Sequence, residues 1–141
     1  MATFTKFESF VEALAEKTHN LGSDTLELYL TNTEPSVSAD TNKSELPTEI
    51  AYTNLDSDPT SRQFTATTSA QTSGTYTLDA TDIVLTASGG TVGPFQYVVI
   101  FNQTAAADEV IGYYDYGSAV TLQSGETFTV TFDADGILTI A

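Results

Sequence analysis

The sequence predicts a mainly β domain, an antiparallel β-sandwich or barrel-like fold of about eight to ten short strands with one N-terminal amphipathic helix. Three observations predict it. From residue 25 onward apolar residues recur at every second position, as in TLELYLTN (25–32) and TFTVTFD (127–133). Turn-forming pairs, among them Ser73-Gly74, Gly89-Gly90 and Asp135-Gly136, punctuate these runs at short intervals. Only before residue 22 does the apolar spacing lengthen to three and four. The 141 residues fit a single domain, 1–141, large enough to bury a real core.

The helix is expected over about 5–21. Phe4, Phe7, Phe10, Val11, Leu14 and Leu21 fall on one stripe, and Thr5-Lys6-Phe7-Glu8 matches a capping box. Gly22 suits the left-handed stop that follows a last helical turn. Lys17 and His19 would then sit in that turn, where positive charge favours the negative end of the helix dipole. His19 is the sole histidine, and at the edge of the stripe it reads as a capping or half-buried residue, not a catalyst.

The sandwich occupies about 25–141. Leu26, Leu28 and Leu30 alternate with Glu27, Tyr29 and Thr31, the pattern of a half-buried strand. The polar span 33–47, TEPSVSADTNKSELP, has no periodicity and is expected as a surface excursion or as an arm packed on a neighbour. Residues 49–55 read as either a short strand or a turn of helix, and Asp56-Ser57-Asp58-Pro59 as a turn. Strands follow at 62–69, 75–80 and 82–87, then PFQYVVIFN (94–102), the most apolar and hence central, opened by Pro94. VIGYYDY (110–116) and GSAVTLQ (117–123) come next. The last pair, 127–133 and 137–141 around Ala134-Asp135-Gly136, reads as a hairpin with Phe128, Val130 and Phe132 inward and Thr127, Thr129 and Thr131 outward.

Composition narrows the chemistry. There is no cysteine, so thiolate catalysis, disulfides and zinc–cysteine sites are excluded. Nineteen acids oppose 4 Lys+Arg, a net charge of −15, which leaves no basic footprint for nucleic acid. Scattered acid keeps a protein soluble and suits docking on a basic partner surface. No apolar run reaches the ~18 residues of a membrane span, and no apolar leader is visible, so synthesis in the cytoplasm without export is expected. With one histidine and no nucleophile elbow, P-loop or dinucleotide motif, no enzyme is expected, and neither a cofactor nor a metal.

The carboxylate pairs Asp56/Asp58, Asp79/Asp82, Asp108/Glu109 and Asp133/Asp135 are read as turn chemistry in preference to a hydrolase pair. Asp133-x-Asp135-Gly136 echoes the start of a calcium loop but lacks its later ligands. Tyr113, Tyr114 and Tyr116 must project from both faces of a strand, so at least one packs in the core and another is expected at an interface.

Two segments carry a resemblance. F-x-x-F-V-E-A-L-A-E-K-T-H-N-L-G-S-D-T-L-x-L-x-L-T-N-T-x-P (7–35) and GPFQYVVIFNQTAAADEVIGYYDYGSAVTL-x-x-GETFTVTFDADGILTI (93–140) are similar to a group of small tailed-bacteriophage virion structural proteins. The resemblance spans most of the chain outside about 36–75. It implies a capsid decoration, or cement, protein on the outer capsid surface, made in the host cytoplasm. The partner implied is the phage major capsid protein, and the assembly a homo-oligomer, with a trimer suited to a threefold position. The span 33–47 and the termini would be the contacts. A tail-associated receptor- or carbohydrate-binding module, using exposed Tyr and Asp, is the alternative.

Overall fold

Strand β7 (Val92–Asn102) organises the molecule, because its last six residues are all buried. It is central in a five-stranded antiparallel sheet with β1 (Thr3–Lys6), β8 (Val110–Leu122), β2 (Leu26–Thr31) and β3 (Gln63–Phe64), in the order β1-β8-β7-β2-β3. The structure, a computed structural model, describes residues 2–55 and 59–141. Two smaller antiparallel sheets complete the sandwich. One orders β10 (Leu138–Ile140), β5 (Thr75–Asp79) and β4 (Thr68–Thr72), and the other pairs β6 (Ile83–Thr86) with β9 (Thr127–Val130). The expected mainly β sandwich with one helix near the N-terminus is what forms.

Period-two alternation sorts the large sheet onto two cores. Leu28, Val98, Ile100 and Tyr114 point inward, where Leu78, Leu85 and Val130 from the small sheets and Phe132 just beyond β9 meet them. Tyr29, Tyr97, Val99, Phe101 and Tyr113 point outward and form a second cluster with Phe7 and Leu46. Strand β2 is therefore buried along its whole length, not half-buried as its alternation suggests.

What covers the outer face is the polar span 33–47. It is an excursion laid on its own sheet, not an arm extended toward a neighbour. Val110 N–H donates to Thr41 O (3.1 Å), Lys43 N–H to Asp108 O (3.0 Å) and Glu8 N–H to Val37 O (3.1 Å). The Tyr29 hydroxyl donates to Pro47 O at 2.6 Å, and Lys43 Nζ stands 4.8 Å from the Phe101 ring centre. A single helical turn at Lys43–Glu45 is capped by Asn42, whose side chain accepts from Ser44 N–H.

The N-terminal helix is shorter than its stripe. Residues Thr3–Lys6 pair with β8, Phe4 opposite Tyr114 and Thr5 opposite Tyr113, and only Ser9–Ala15 form α1. A spacing of three suits a helix face, yet it also suits a strand that ends in a turn, and the open edge of β8 captures it. Phe4 and Phe7 consequently pack against Tyr114 (5.2 Å between ring centres) and Tyr113 (5.6 Å), in the inner and outer cores respectively. The capping box does not form, since Thr5 belongs to the strand and the helix-capping Glu8 makes no side-chain cap bond. Nor does Gly22 end the helix. Lys17 does so at φ 70, with Thr18 N–H on Ala13 O (2.8 Å) and Lys17 N–H on Leu14 O (3.3 Å), the paired bonds of a Schellman stop. Lys17 and His19 thus lie beyond the helix.

Elsewhere the differences come from pairing. Ser73 and Gly74, at φ 52 and 85, make the type I′ turn joining β4 to β5. The run 62–69 divides between β3 and β4, and the two strands expected over 110–123 are one long strand, Val110–Leu122, with Gly117 at φ 79. Strand β7 begins two residues before Pro94, at Val92, across a cis Gly93–Pro94 bond and a register shift. Residues 49–55 are neither strand nor helix, only a bridge from Glu49 to Thr31 and a turn closed by Leu55 N–H on Tyr52 O. Of the turn expected at Asp56-Ser57-Asp58-Pro59, the first three residues lie outside those described, and Pro59 opens a single helical turn, Pro59–Arg62.

The C-terminal hairpin is not made. The Asp-Gly turn forms, with Gly136 N–H on Asp133 O at 2.8 Å, but β9 pairs with β6 and β10 with β5. At Gly136, φ 98, an added Cβ would stand 2.7 Å from Leu78 O, and Ile137 N–H bonds that same carbonyl at 2.7 Å. The turn therefore carries the chain from one small sheet to the other. The face assignment holds regardless: Val130 and Phe132 are buried, and Thr127, Thr129 and Thr131 are exposed.

Candidate functional site

The most concentrated polar chemistry gathers where β7 ends. Asn102 is wholly buried, and its Oδ1 accepts Thr104 N–H (3.0 Å) and Ala105 N–H (3.2 Å). Those two bonds orient the amide, so its Nδ2 donates to Asp24 Oδ2 at 2.6 Å and faces His19 Nδ1 at 3.0 Å. An amide nitrogen only donates, so Nδ1 is the acceptor and the imidazole proton resides on Nε2. Nε2 is buried without a hydrogen-bond partner, and the ring lies 5.4 Å from that of Phe10. Burial pushes the His19 pKa down, against the opposing pull of Glu109 and Asp24.

This arrangement fastens loops. Asp24 Oδ2 also accepts Asn20 N–H (2.8 Å), and the Thr104 hydroxyl oxygen accepts Thr25 N–H (2.9 Å), joining 20–25 to 102–105. His19 is thus a buried structural residue, more enclosed than expected. Its partner Asn102 went unmarked in the sequence, although an Asn closing an apolar strand is a residue that must find partners.

Three of the paired carboxylates make local bonds: Asp79 accepts Ala80 N–H (2.8 Å), Asp133 accepts Asp135 N–H (2.9 Å) and Glu109 accepts Ala107 N–H (3.3 Å). Asp82 instead accepts Phe132 N–H (2.9 Å) from 50 residues further along the chain. Asp56 and Asp58 lie outside the described residues. Among the described residues no group of three or more His, Cys, Asp or Glu gathers to hold a metal, and no helix is long and apolar enough to cross a membrane.

The expected core packing within Tyr113, Tyr114 and Tyr116 is present, and it extends further than expected. None of the seven is exposed. Tyr113 and Tyr114 are buried on opposite faces, and the half-buried Tyr116 packs edge-on against Phe128 at 4.9 Å, its hydroxyl pKa pushed up to about 12 by burial. A platform of exposed tyrosines is absent from the 113–116 strand.

Charge is distributed unevenly. Of the four basic residues, Lys43 lies over Phe101, and Arg62 is buried beside Glu27 (3.8 Å) with its guanidinium 3.7 Å from the Tyr52 ring centre. Gln63 Nε2 donates to the other Glu27 oxygen at 2.9 Å. Lys6 and Lys17 are exposed and make no ion pair with a described residue. No family model, curated protein or solved structure matches the chain.

Proposed function

We propose that this chain is a phage virion structural protein that binds the outer surface of the capsid as a decoration protein and stabilises the shell. The resemblance of segments 7–35 and 93–140 to small tailed-phage virion proteins supplies the class. The observation that carries the reading onto this chain is the disposition of charge. A net −15 is spread over a sandwich whose two central cations are spent internally, which gives an acidic exterior suited to a basic partner surface. The polar side chains nearest to an active centre, His19, Asp24 and Asn102, are consumed in fastening loops. A decoration protein needs no more chemistry than this: it clamps seams between capsid subunits, and weak contacts repeated over a lattice or within an oligomer sum to firm binding. Because 33–47 is committed to its own sheet, the contacts come from its solvent face and from the open strand edges. The tail-module reading has less support, since none of its tyrosines is exposed.

Sedimentation of purified protein with capsids lacking it tests the reading. The expected result is saturable binding at a copy number set by the lattice, weakening as salt rises. Binding confined to tails or to the host-cell surface would overturn it.

A further inference from the structure

Two of the three sheets end beside one groove. Strand β1 is the last of the five-stranded sheet and β10 the last of the three-stranded one, and the outer edge of each pairs with no described strand. A depression of about 470 Å³ is lined by Phe4 and Lys6 of β1, Leu138 and Ile140 of β10, and Val11 and Leu14 of α1. Val11 (54% exposed) and Ile140 (38%) are two of the three exposed large apolar side chains among the described residues. A second depression shares Leu14 and Ile140 and adds Lys17. Lys6 and Lys17, the two of the four basic residues without an ion pair or ring contact among the described residues, therefore border this apolar seam.

We infer that the seam between β1 and β10 is a docking site for an extended segment of a partner protein, one that alternates apolar residues with carboxylates. Open edges supply backbone donors and acceptors to an added strand. Val11, Leu14 and Ile140 receive its apolar side chains, and Lys6 and Lys17 meet its acids. Charge selects this occupant over a second copy of the chain. Two copies pairing edge to edge would oppose two bodies of −15, whereas a short segment brings only a few carboxylates, set directly against Lys6 and Lys17. The inference does not depend on the partner being a capsid protein, because a peptide reads it directly.

The experiment is an NMR titration of the ¹⁵N-labelled full chain with two eight-residue peptides of alternating Val, one carrying Glu at the other positions and one carrying Lys. The expected result is that the Glu peptide shifts the amides of Leu138–Ala141 and Thr3–Lys6 and binds at least about tenfold more tightly than the Lys peptide. K6E/K17E, at exposed positions, should reverse that preference, and V11K should weaken both peptides while the remaining spectrum stays folded. Shifts elsewhere, equal binding of the two peptides, or no binding would overturn the inference. Concentration-dependent shifts at these amides without peptide would overturn the choice of occupant in favour of self-association.

Discussion

The two faces of the five-stranded sheet solve one problem in different ways. On the inner face strands cover strands, and among the described residues only Phe10, Phe95, Tyr114 and Phe132 of a core of 21 are aromatic. On the outer face an irregular segment covers the sheet, and five of eight buried residues are aromatic: Phe7, Tyr29, Tyr97, Phe101 and Tyr113. Two pleated layers interdigitate, so branched aliphatics fill the space between them. A loop has no pleat. Wide rings fill its uneven underside, and their polar tips tie down its backbone, as the Tyr29 hydroxyl does with Pro47 O. The inner face is held mainly by area, the outer one by area and pegs.

The largest break in this contrast comes from the charge placed on the outward side of β2. Arg62→Met leaves Glu27 buried without its cation and should cost about 3–5 kcal/mol by urea denaturation, whereas replacing both members with apolar residues should recover much of that loss. Next is the inner face. Leu28→Ala, at a wholly buried position, should cost about 2–5 kcal/mol, lowering the urea midpoint while m stays unchanged. On the outer face Tyr29→Phe should cost about 1 kcal/mol, and hydrogen exchange should show residues 37–47 opening well before the inner strands. Equal protection of the two faces would remove the distinction.

The smallest effect is a pH dependence. The folded state favours neutral His19, whose pKa lies below the ordinary 6.5 because of burial. Above 6.5 the histidine is neutral in both folded and unfolded chains, and its contribution is whole. As pH falls below 6.5 the unfolded chain takes up the proton first, so stability declines until the lowered folded pKa is passed. Urea midpoints between pH 8 and 5 should fall for the parent protein and fall less for His19→Gln.

Sequence patterns reached whatever depended on a residue's own neighbours. The central strand 94–102, the Ser73-Gly74 turn and the inward Phe128-Val130-Phe132 set are local facts of alternation and turn chemistry, and the structure agrees on each. What failed was the choice of partner. The Asp135-Gly136 turn is real, yet a turn specifies its own four residues and not where the flanking strands find hydrogen bonds, and β6 and β5 outcompeted the adjacent pairing. Phe4 and Phe7 failed likewise, because a spacing of three is ambiguous until a free sheet edge is available. The His19–Asn102–Asp24 cluster joins residues 83 and 78 positions apart, a distance that no local motif spans.

Gly112 adds a consequence in time. It lies opposite Lys6, and a side-chain carbon there would collide with the Phe4 ring, so the missing Cβ is the socket into which the first strand fits. The two halves of that joint are made far apart in time, since Thr3–Lys6 precede their partners Gly112–Asp115 by more than a hundred residues. Thr3–Lys6, with Phe4 and the adjacent Phe7, therefore wait for this pairing until Gly112–Asp115 have been made. Loops of that length close slowly, so docking of the N-terminal strand belongs among the late steps of folding.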